Sequence, residues 1–260
     1  MNLIHLIRSV LFMALLVPWT LVIGIIIGCS SLVPMSVRYG INWFWRRGFM
    51  ALARVVLGIR MEVRGRENIP ATASVILSKH QSAWETVALQ DVFPPLVFVL
   101  KKSLLLLPFF GWGLAALKMI SIDRAAGKDA LAQVVKQGKD RLGAGYWVII
   151  FPEGTRVPPG QKRRYKPGGA HLAAKAGVPV VPVAHNAGEL WPRNALVKKP
   201  GTIVVSVGPA IDPTGLSEAE INQRVEAWIE AEMHRISPHR YPAGAAAKEA
   251  AADGDDSANA

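Results

Sequence analysis

The fold of this chain is organised around the stretch SVILSKHQSAWE, residues 74–85. Residues 74–77 form an apolar run that predicts a short buried strand, and a helical pattern begins after Glu85. A histidine at the end of a strand, followed by a carboxylate, can form a base and the group that orients it. Residues five apart lie about 140° apart on a helix. The two side chains can therefore meet only if His80 lies in the loop and Glu85 in the first helical turn.

The same residues have a simpler interpretation. Ser82-x-x-Glu85 has the pattern of a capping box, in which Ser82 caps the helix and Glu85 only reaches back to the backbone N–H of the cap. We expect the two roles to compete, because the cap would draw the carboxylate away from the imidazole of His80. This stretch alone leaves both roles open, so the rest of the chain has to decide.

The composition points to an acidic partner. The 260 residues suit one core domain with appendages, and they carry a formal net charge of +11 with a pI of about 10.0 and a mean hydropathy of +0.25. Such a charge suits an anionic membrane, a phosphorylated substrate or nucleic acid. We predict no nucleic-acid partner, because no zinc-finger spacing or basic and aromatic RNA-binding pattern is present. Cys29 is the single cysteine and no histidine pair has zinc-ligand spacing, so we predict neither a disulfide framework nor a metal site.

The N-terminal segment has no charged residue between Arg8 and Arg38, and residues 10–29 are long and apolar enough to cross a bilayer. Because the run ends at Cys29, an exported lipoprotein with a cleaved signal is one interpretation. The arginines that follow the run favour an uncleaved anchor, with everything after residue 38 in the cytoplasm. Pro18 leaves both a spanning and a re-entrant anchor open.

Residues 41–59 also have the pattern of a membrane-associated segment. The sequence WFWRR, residues 43–47, has the aromatic and basic mixture expected of a helix at the lipid–water boundary. An ordinary amphipathic helix packed on the domain is the alternative. We therefore divide the chain into a membrane segment at residues 1–60, a core domain at residues 61–240 and a disordered, alanine-rich tail at residues 241–260.

The core domain alternates short apolar runs with helical patterns. Strands are predicted at residues 61–64, 74–77, 96–100, 118–122, 146–151, 178–184 and 202–207, and helices at residues 103–117 (in pieces), 128–142, 169–176 and 218–236. This alternation predicts an α/β fold with a mixed, largely parallel sheet that is covered by helices.

Polar side chains follow several of the predicted strands. They are His80, Lys101, Arg124 and residues 153–156, and His185 follows a further strand and is a candidate for the rim of the site. Ligands of open α/β sheets bind outside the carboxyl ends of the strands, so we expect these groups to converge on one edge. Arginine and lysine at such an edge suit a phosphate.

Four blocks of this sequence, in order, resemble those of the glycerophospholipid acyltransferase family. They are His80 to Glu85, with glutamate where the family has aspartate; Lys101 and Lys102 through Pro108 and Gly111 to Arg124; FPEGTR at residues 151–156; and VPVVPV at residues 178–183. The resemblance covers about residues 40–210, and residues 61–240 would then be the catalytic domain.

The resemblance implies an acyl transfer. His80 would remove the proton from the sn-2 hydroxyl of lysophosphatidic acid as that oxygen attacks the thioester of acyl-CoA or of acyl carrier protein, which would give phosphatidic acid. Glu85 would fix the imidazole tautomer. No cofactor is implied beyond the acyl donor. Another lysolipid acceptor remains an alternative, as does a membrane-anchored lipid-binding protein without activity, which only the glutamate replacement favours.

The resemblance also implies binding residues. The set for the acceptor phosphate is Arg156, Lys101, Arg124, Glu153, Gly154 and Thr155, of which Glu153 and Gly154 would shape the turn beneath it. The candidates for an acyl pocket are Leu104, Phe109, Phe110 and Trp112. Basic residues at 162–166 could serve either donor or anionic membrane lipid. The expected location is the bacterial inner membrane, with the catalytic domain facing the cytoplasm.

Overall fold

A seven-stranded sheet forms the centre of the computed structural model, which describes residues 2–123 and 128–241. Its strands are β1 (Ile59–Arg64), β2 (Val75–Ser78), β3 (Leu96–Lys101), β4 (Ile120–Ile122), β5 (Trp147–Ile150), β6 (Val180–His185) and β7 (Gly201–Val207). The order is β1-β7-β6-β2-β5-β3-β4. Strands β6, β2, β5, β3 and β4 are parallel, whereas β7 pairs antiparallel with β6 and parallel with β1. The predicted mixed, largely parallel sheet is confirmed.

Strand β2 lies in the middle of the core. Val75, Ile76 and Leu77 are fully buried, and the strand pairs with β5 on one side and β6 on the other. A strand buried on both faces reads as a continuous apolar run, which is how this one was predicted. The loop after β2 therefore emerges between β6 and β5, at the edge where the carboxyl ends of the five parallel strands meet.

Helices surround the sheet. They are α1 (Leu3–Cys29), α2 (Met35–Leu52, continued by a π turn at Ala53–Leu57), α3 (Glu85–Val92), α4 (Phe110–Ala116), α5 (Lys128–Gly143), α6 (Gly168–Ala176), α7 (Ala187–Leu190) and α8 (Glu218–Ile236). Helices α5, α6 and α8 pack together and against β5, β2 and β6. Helix α8 begins in a capping box between Ser217 and Glu220, so the start predicted for it is confirmed. The predicted helix at residues 103–117 is indeed in pieces: a 3₁₀ turn at Lys102–Leu106 and then α4.

Helix α1 lies against the domain near both of its ends. Within the described part of the chain, it is the one helix long and apolar enough to cross a membrane, with a mean hydropathy of 2.7. Its buried residues form one stripe: Ser9, Phe12, Ile23, Gly24 and Ile27. Near the first end, the Ser9 hydroxyl accepts the backbone N–H of Lys198 at 2.8 Å. Near the other end, Gly24 and Gly28 approach Phe109 and Trp112 so closely that a Cβ atom would lie within 3.0 Å of them.

Helix α2 packs on the domain and also presents an apolar outer side. It begins at Met35, earlier than the sequence pattern predicted. Asn42 donates to the Gln90 side chain of α3 at 2.8 Å, and the indole of Trp45 donates to Thr20 of α1 at 3.0 Å. Trp43 and Phe44 remain exposed. Both interpretations of this segment thus find support, since one side is packed and the other displays aromatic side chains.

Phe12 tests whether its face of α1 is held on the domain. Its ring is fully buried and makes edge contacts with Phe49 of α2 and with Trp191, at 5.9 and 5.4 Å between centroids. We expect Phe12→Ala to lower the free energy of unfolding by about 3–5 kcal/mol, because it leaves a cavity in this cluster. Urea unfolding in detergent micelles, followed by circular dichroism, measures the change.

The control is Leu11→Ala, since Leu11 is the next residue along the helix and is 49% exposed. It should leave the midpoint almost unchanged. Equal effects of the two substitutions would mean that α1 is not held on the domain through the Phe12 face.

Candidate active site

The loop between β2 and α3 carries His80 and curls around the carboxylate of Glu85. Oε1 of Glu85 accepts the backbone N–H of Ser82 at 2.7 Å and that of Gln81 at 2.9 Å. Ser82 is not the N-cap, because α3 begins at Glu85 and the cap position belongs to Trp84. The Ser82 hydroxyl instead accepts the N–H of Trp84 at 3.2 Å. The backward reach of Glu85 is present, but Ser82 lies two residues before the cap position.

The same oxygen of Glu85 also contacts the imidazole of His80. Nδ1 of His80 lies 2.9 Å from Oε1. The expected competition between bracing the loop and orienting the histidine is therefore wrong, because one oxygen does both. Burial opposes ionisation of Glu85, but the neighbouring His185 and His80, together with the N–H of Ser82, hold its pKa below the ordinary value. An ionised Glu85 takes the proton on Nδ1 as a hydrogen bond and leaves Nε2 of His80 as the basic nitrogen.

Three further contacts fix His80. Its backbone N–H donates to Oε2 of Glu153 at 2.7 Å, and its carbonyl accepts the N–H of Val157 at 2.8 Å. The imidazole stacks on the ring of Phe151, with 3.9 Å between centroids. Phe151, Glu153 and Val157 all come from the segment after β5, so the FPEGTR block and the valine that follows it hold the histidine from the neighbouring strand.

His185 lies beneath the site and not on its rim. It is fully buried at the end of β6, where Nε2 donates to the carbonyl of Lys79 at 2.7 Å. Burial lowers its pKa, and this hydrogen bond identifies Nε2 as a protonated nitrogen of the ring. Its hydrogen bond supports the residue before His80, so the predicted place of His185 on the rim is wrong.

The FPEGTR turn presents Arg156 and buries Glu153. Gly154 has a φ of +70°, a backbone conformation that glycine adopts without strain. Thr155 and Arg156 are half-buried on this turn, and the Arg156 side chain has no acidic partner among the described residues. Glu153 is fully buried, and its carboxylate contacts the backbone N–H of His80 and the ammonium of Lys79. Its roles in shaping the turn and in binding a phosphate stay predictions.

Other cations lie around this turn. Lys101 is exposed at the end of β3, two strands from β2, which corresponds to about 10 Å at the usual strand spacing. The side chain of Lys166 passes over Gly154. Its ammonium lies 3.2 Å from the position that a Cβ atom on residue 154 would take. Arg193 donates to the carbonyl of Arg156 at 3.4 Å. Arg193 escaped prediction because it lies 37 residues from Arg156 and no local pattern links them. Arg124 lies outside the described residues, so its role stays a prediction.

The acyl-pocket candidates lie at the surface beside α1. Leu104, Phe110 and Trp112 are exposed, and Phe109 is half-buried against Gly24 and the ring of Trp112. A tunnel needs side chains that are enclosed by protein. In this structure these residues form an exposed apolar surface beside α1, and their role in an acyl pocket stays a prediction.

The described residues contain no group of three or more histidine, cysteine, aspartate or glutamate side chains that could hold a metal ion. The site offers an imidazole whose Nδ1 faces a buried carboxylate, and beside it a turn that carries Arg156. These groups suit a transferase or hydrolase that activates a hydroxyl group near an anionic group.

Comparisons with known proteins identify the class. A family model described as Acyltransferase matches residues 60–186. The chain is 50% identical to the 1-acyl-sn-glycerol-3-phosphate acyltransferase of Pseudomonas aeruginosa, over 92% of this chain and 95% of that protein. It is 31% identical to the enzyme of the same name from Borreliella burgdorferi, over 69% of this chain and 73% of that protein.

A solved structure agrees with these relatives. The crystal structure of the 1-acyl-sn-glycerophosphate acyltransferase PlsC from Thermotoga maritima matches with a TM-score of 0.75 at 25% identity, over 89% of this chain and 95% of that chain. The chain therefore belongs to the acyltransferase family and, within it, to the 1-acyl-sn-glycerol-3-phosphate acyltransferases.

Glu85→Gln separates the charge of this residue from its shape. Glutamine keeps an oxygen for the two backbone N–H groups and for Nδ1 of His80, but it has no charge to stabilise an imidazolium. We expect kcat for acyl transfer to fall by roughly 10²–10⁴-fold with little change in the acceptor KM. Initial rates at saturating concentrations of both substrates give the comparison.

Glu62→Gln is the control, because Glu62 is an exposed glutamate on the edge strand β1, paired with Arg64. It should keep the activity of the unchanged protein. A Glu85→Gln variant that is as active as that control would show that Glu85 only braces the loop.

Proposed function

We propose that this protein transfers an acyl group from an acyl thioester to the sn-2 hydroxyl of lysophosphatidic acid and so makes phosphatidic acid. The names of the relatives from Pseudomonas aeruginosa and Borreliella burgdorferi describe this type of reaction. The observation in this chain that carries the proposal is the contact between Nδ1 of His80 and Oε1 of Glu85, which leaves Nε2 as a base at the strand edge. The cation-rich turn after β5 stands beside it.

Nε2 of His80 takes the proton of the acceptor hydroxyl as the oxygen attacks the thioester carbonyl. A new C–O bond forms, and the collapse of the tetrahedral intermediate breaks the C–S bond. The imidazolium then returns its proton to the departing thiolate, so the enzyme ends in its starting state. Glu85 stabilises the imidazolium in between, in the way that the aspartate of a catalytic triad does. All protons pass through His80, and the proposal requires no cofactor.

Arg156 and Lys101 are the proposed partners of the acceptor phosphate, with Arg124 as a further predicted member. Arg156 suits this role because its guanidinium can bind two phosphate oxygens at once and has no carboxylate partner within the described residues. Thr155 and the backbone of Gly154 complete the turn on which Arg156 sits. The basic segment at residues 162–166 is the proposed contact for the donor, whether coenzyme A or acyl carrier protein, since both are anionic.

The membrane contact that we propose includes α1 and the segment that follows β3. The outward residues of α1 are apolar: Leu11, Leu15, Leu21, Val22, Ile25 and Ile26. Leu106, Leu107 and Trp112 continue this surface, and Lys101 and Lys102 flank it. An apolar surface with a basic border fits an anionic bilayer. The cytoplasmic leaflet is anionic and attracts the basic border of this surface, so the proposed location of the catalytic domain is the cytoplasmic face of the bacterial inner membrane.

His80→Ala tests the reaction. With lysophosphatidic acid and a labelled acyl donor, supplied in turn as acyl-CoA and as acyl carrier protein, we expect the rate to fall by roughly 10²–10⁴-fold. Product analysis by thin-layer chromatography checks that phosphatidic acid forms. The conversion of other lysolipids in parallel assays tests the acceptor.

His239→Ala is the control, since His239 is an exposed histidine that pairs with Glu189 at 3.0 Å. It should keep full activity. Unchanged turnover of His80→Ala would overturn the mechanism, and faster acylation of a lysolipid other than lysophosphatidic acid would overturn the proposed acceptor.

Leu106, which is 82% exposed, tests the membrane surface. In a Cys29→Ser background, a single cysteine at position 106 carries an environment-sensitive fluorophore. We expect its emission to shift to the blue when the protein binds vesicles that contain phosphatidylglycerol, because the label leaves water for lipid.

The control label sits at position 175, where Lys175 is exposed on α6, in the layer with α5 and α8. Its emission should not shift. A label at position 106 that stays in water on vesicles that bind the protein would refute this part of the membrane surface.

A further inference from the structure

Lys79 is a fully buried lysine immediately before His80. Its ammonium lies 2.8 Å from Oε1 of Glu153 and 2.8 Å from Oε1 of Glu230 on α8. Although burial works against it, these two carboxylates hold the pKa of Lys79 above its ordinary value. A buried ammonium is costly unless its geometry is well satisfied, so both partners are needed to keep Lys79 in place.

Glu153 connects this ion pair to the proposed base. One of its oxygens contacts Lys79, and the other accepts the backbone N–H of His80 at 2.7 Å. Burial raises the pKa of Glu153 to about 7, although the ammonium of Lys79 and the N–H of His80 oppose the change. Any movement of the Lys79 ammonium would therefore move the carboxylate on which the His80 backbone rests.

Glu230 fixes the other side of the Lys79 ammonium. Its Oε1 also accepts the hydroxyl of Tyr165 at 2.9 Å, so the glutamate is held from two directions. Glu230 lies 151 residues from Lys79 along the chain. Contacts thus run without a gap from helix α8 through Lys79 and Glu153 to the backbone of His80.

We propose that Lys79 and Glu230 are positioning residues for His80. They touch no substrate. They hold Glu153, and through it the backbone of His80, in the position from which Nε2 can reach the acceptor hydroxyl. The inference rests on the proposed role of His80 as the base. Displacement of a reacting group by about 1 Å can cost about 10²-fold in rate. Glu230 can therefore control kcat although it reaches His80 only through Lys79 and Glu153.

Glu230→Ala is the main test, and Glu230→Gln is its conservative partner. We expect the alanine variant to lower kcat by about 10- to 100-fold per folded molecule, with the KM for lysophosphatidic acid unchanged, because the acceptor's own contacts remain. Glutamine keeps an oxygen for both Lys79 and Tyr165, so it should restore most of kcat. A residue that only stabilises the fold would lower the folded fraction and leave kcat per folded molecule unchanged.

Glu218→Ala is the matched control. Glu218 lies twelve residues before Glu230 on α8 and pairs with His171 at 2.6 Å, away from the proposed binding residues. It should leave kcat and KM unchanged. Circular dichroism and thermal unfolding in detergent give the folded fraction of every variant.

A double substitution tests the route through Lys79. In a Lys79→Met background, Glu230→Ala should cause no further loss of kcat, because the contact it breaks is already gone. Additive losses would show that Glu230 acts by another route, and an unchanged kcat in Glu230→Ala would overturn the proposal. If His80→Ala abolishes activity while Glu230→Ala does not change kcat, the inference fails and the proposed function stands. If His80→Ala is fully active, the proposed function itself fails.

Discussion

Oε1 of Glu85 is the atom on which the loop around His80 depends. A buried carboxylate is tolerated only where donors surround it, and here two backbone N–H groups and the imidazole of His80 share one oxygen. The three donors come from successive residues, so the loop has to curl tightly around that point. The negative charge thus sets the backbone path and the tautomer of the histidine together. Removal of the carboxylate would leave its buried donors unsatisfied. A glutamate, which is longer than the aspartate of the family, can serve here because its oxygen reaches the centre of the loop.

The overall sheet and the edge that carries the site could be predicted because their signals are local. Continuous apolar runs mark strands that are buried on both faces, and a polar residue after such a run lies at a strand's carboxyl end in any parallel sheet. His80, Lys101 and Arg156 were placed in this way. The resemblance of the FPEGTR block to a family motif then indicated which of these residues share one site.

What could not be predicted depends on contacts between distant segments. Whether Glu85 braces the loop or orients His80 is a matter of tenths of an ångström, and no residue pattern encodes that one oxygen does both. His185 follows a strand just as His80 does, yet β6 continues to His185 itself and keeps its ring inside. An apolar run such as residues 104–112 looks the same whether it lines a tunnel, fills a core or faces lipid. The pairing of Lys79 with Glu230 joins residues that are 151 positions apart, so no local sequence pattern indicates it.

The attachment of α1 near both ends has a consequence for how an acceptor is found. A helix that is held at Ser9 and again at Gly24 and Gly28 cannot swivel relative to the sheet. In the proposed membrane contact, with the outer face of α1 in lipid, the mouth of the site would keep one height and one orientation over the bilayer. The encounter with a lysolipid would then be a search in two dimensions. The bilayer would in this way remove part of the orientational entropy of binding before enzyme and acceptor meet.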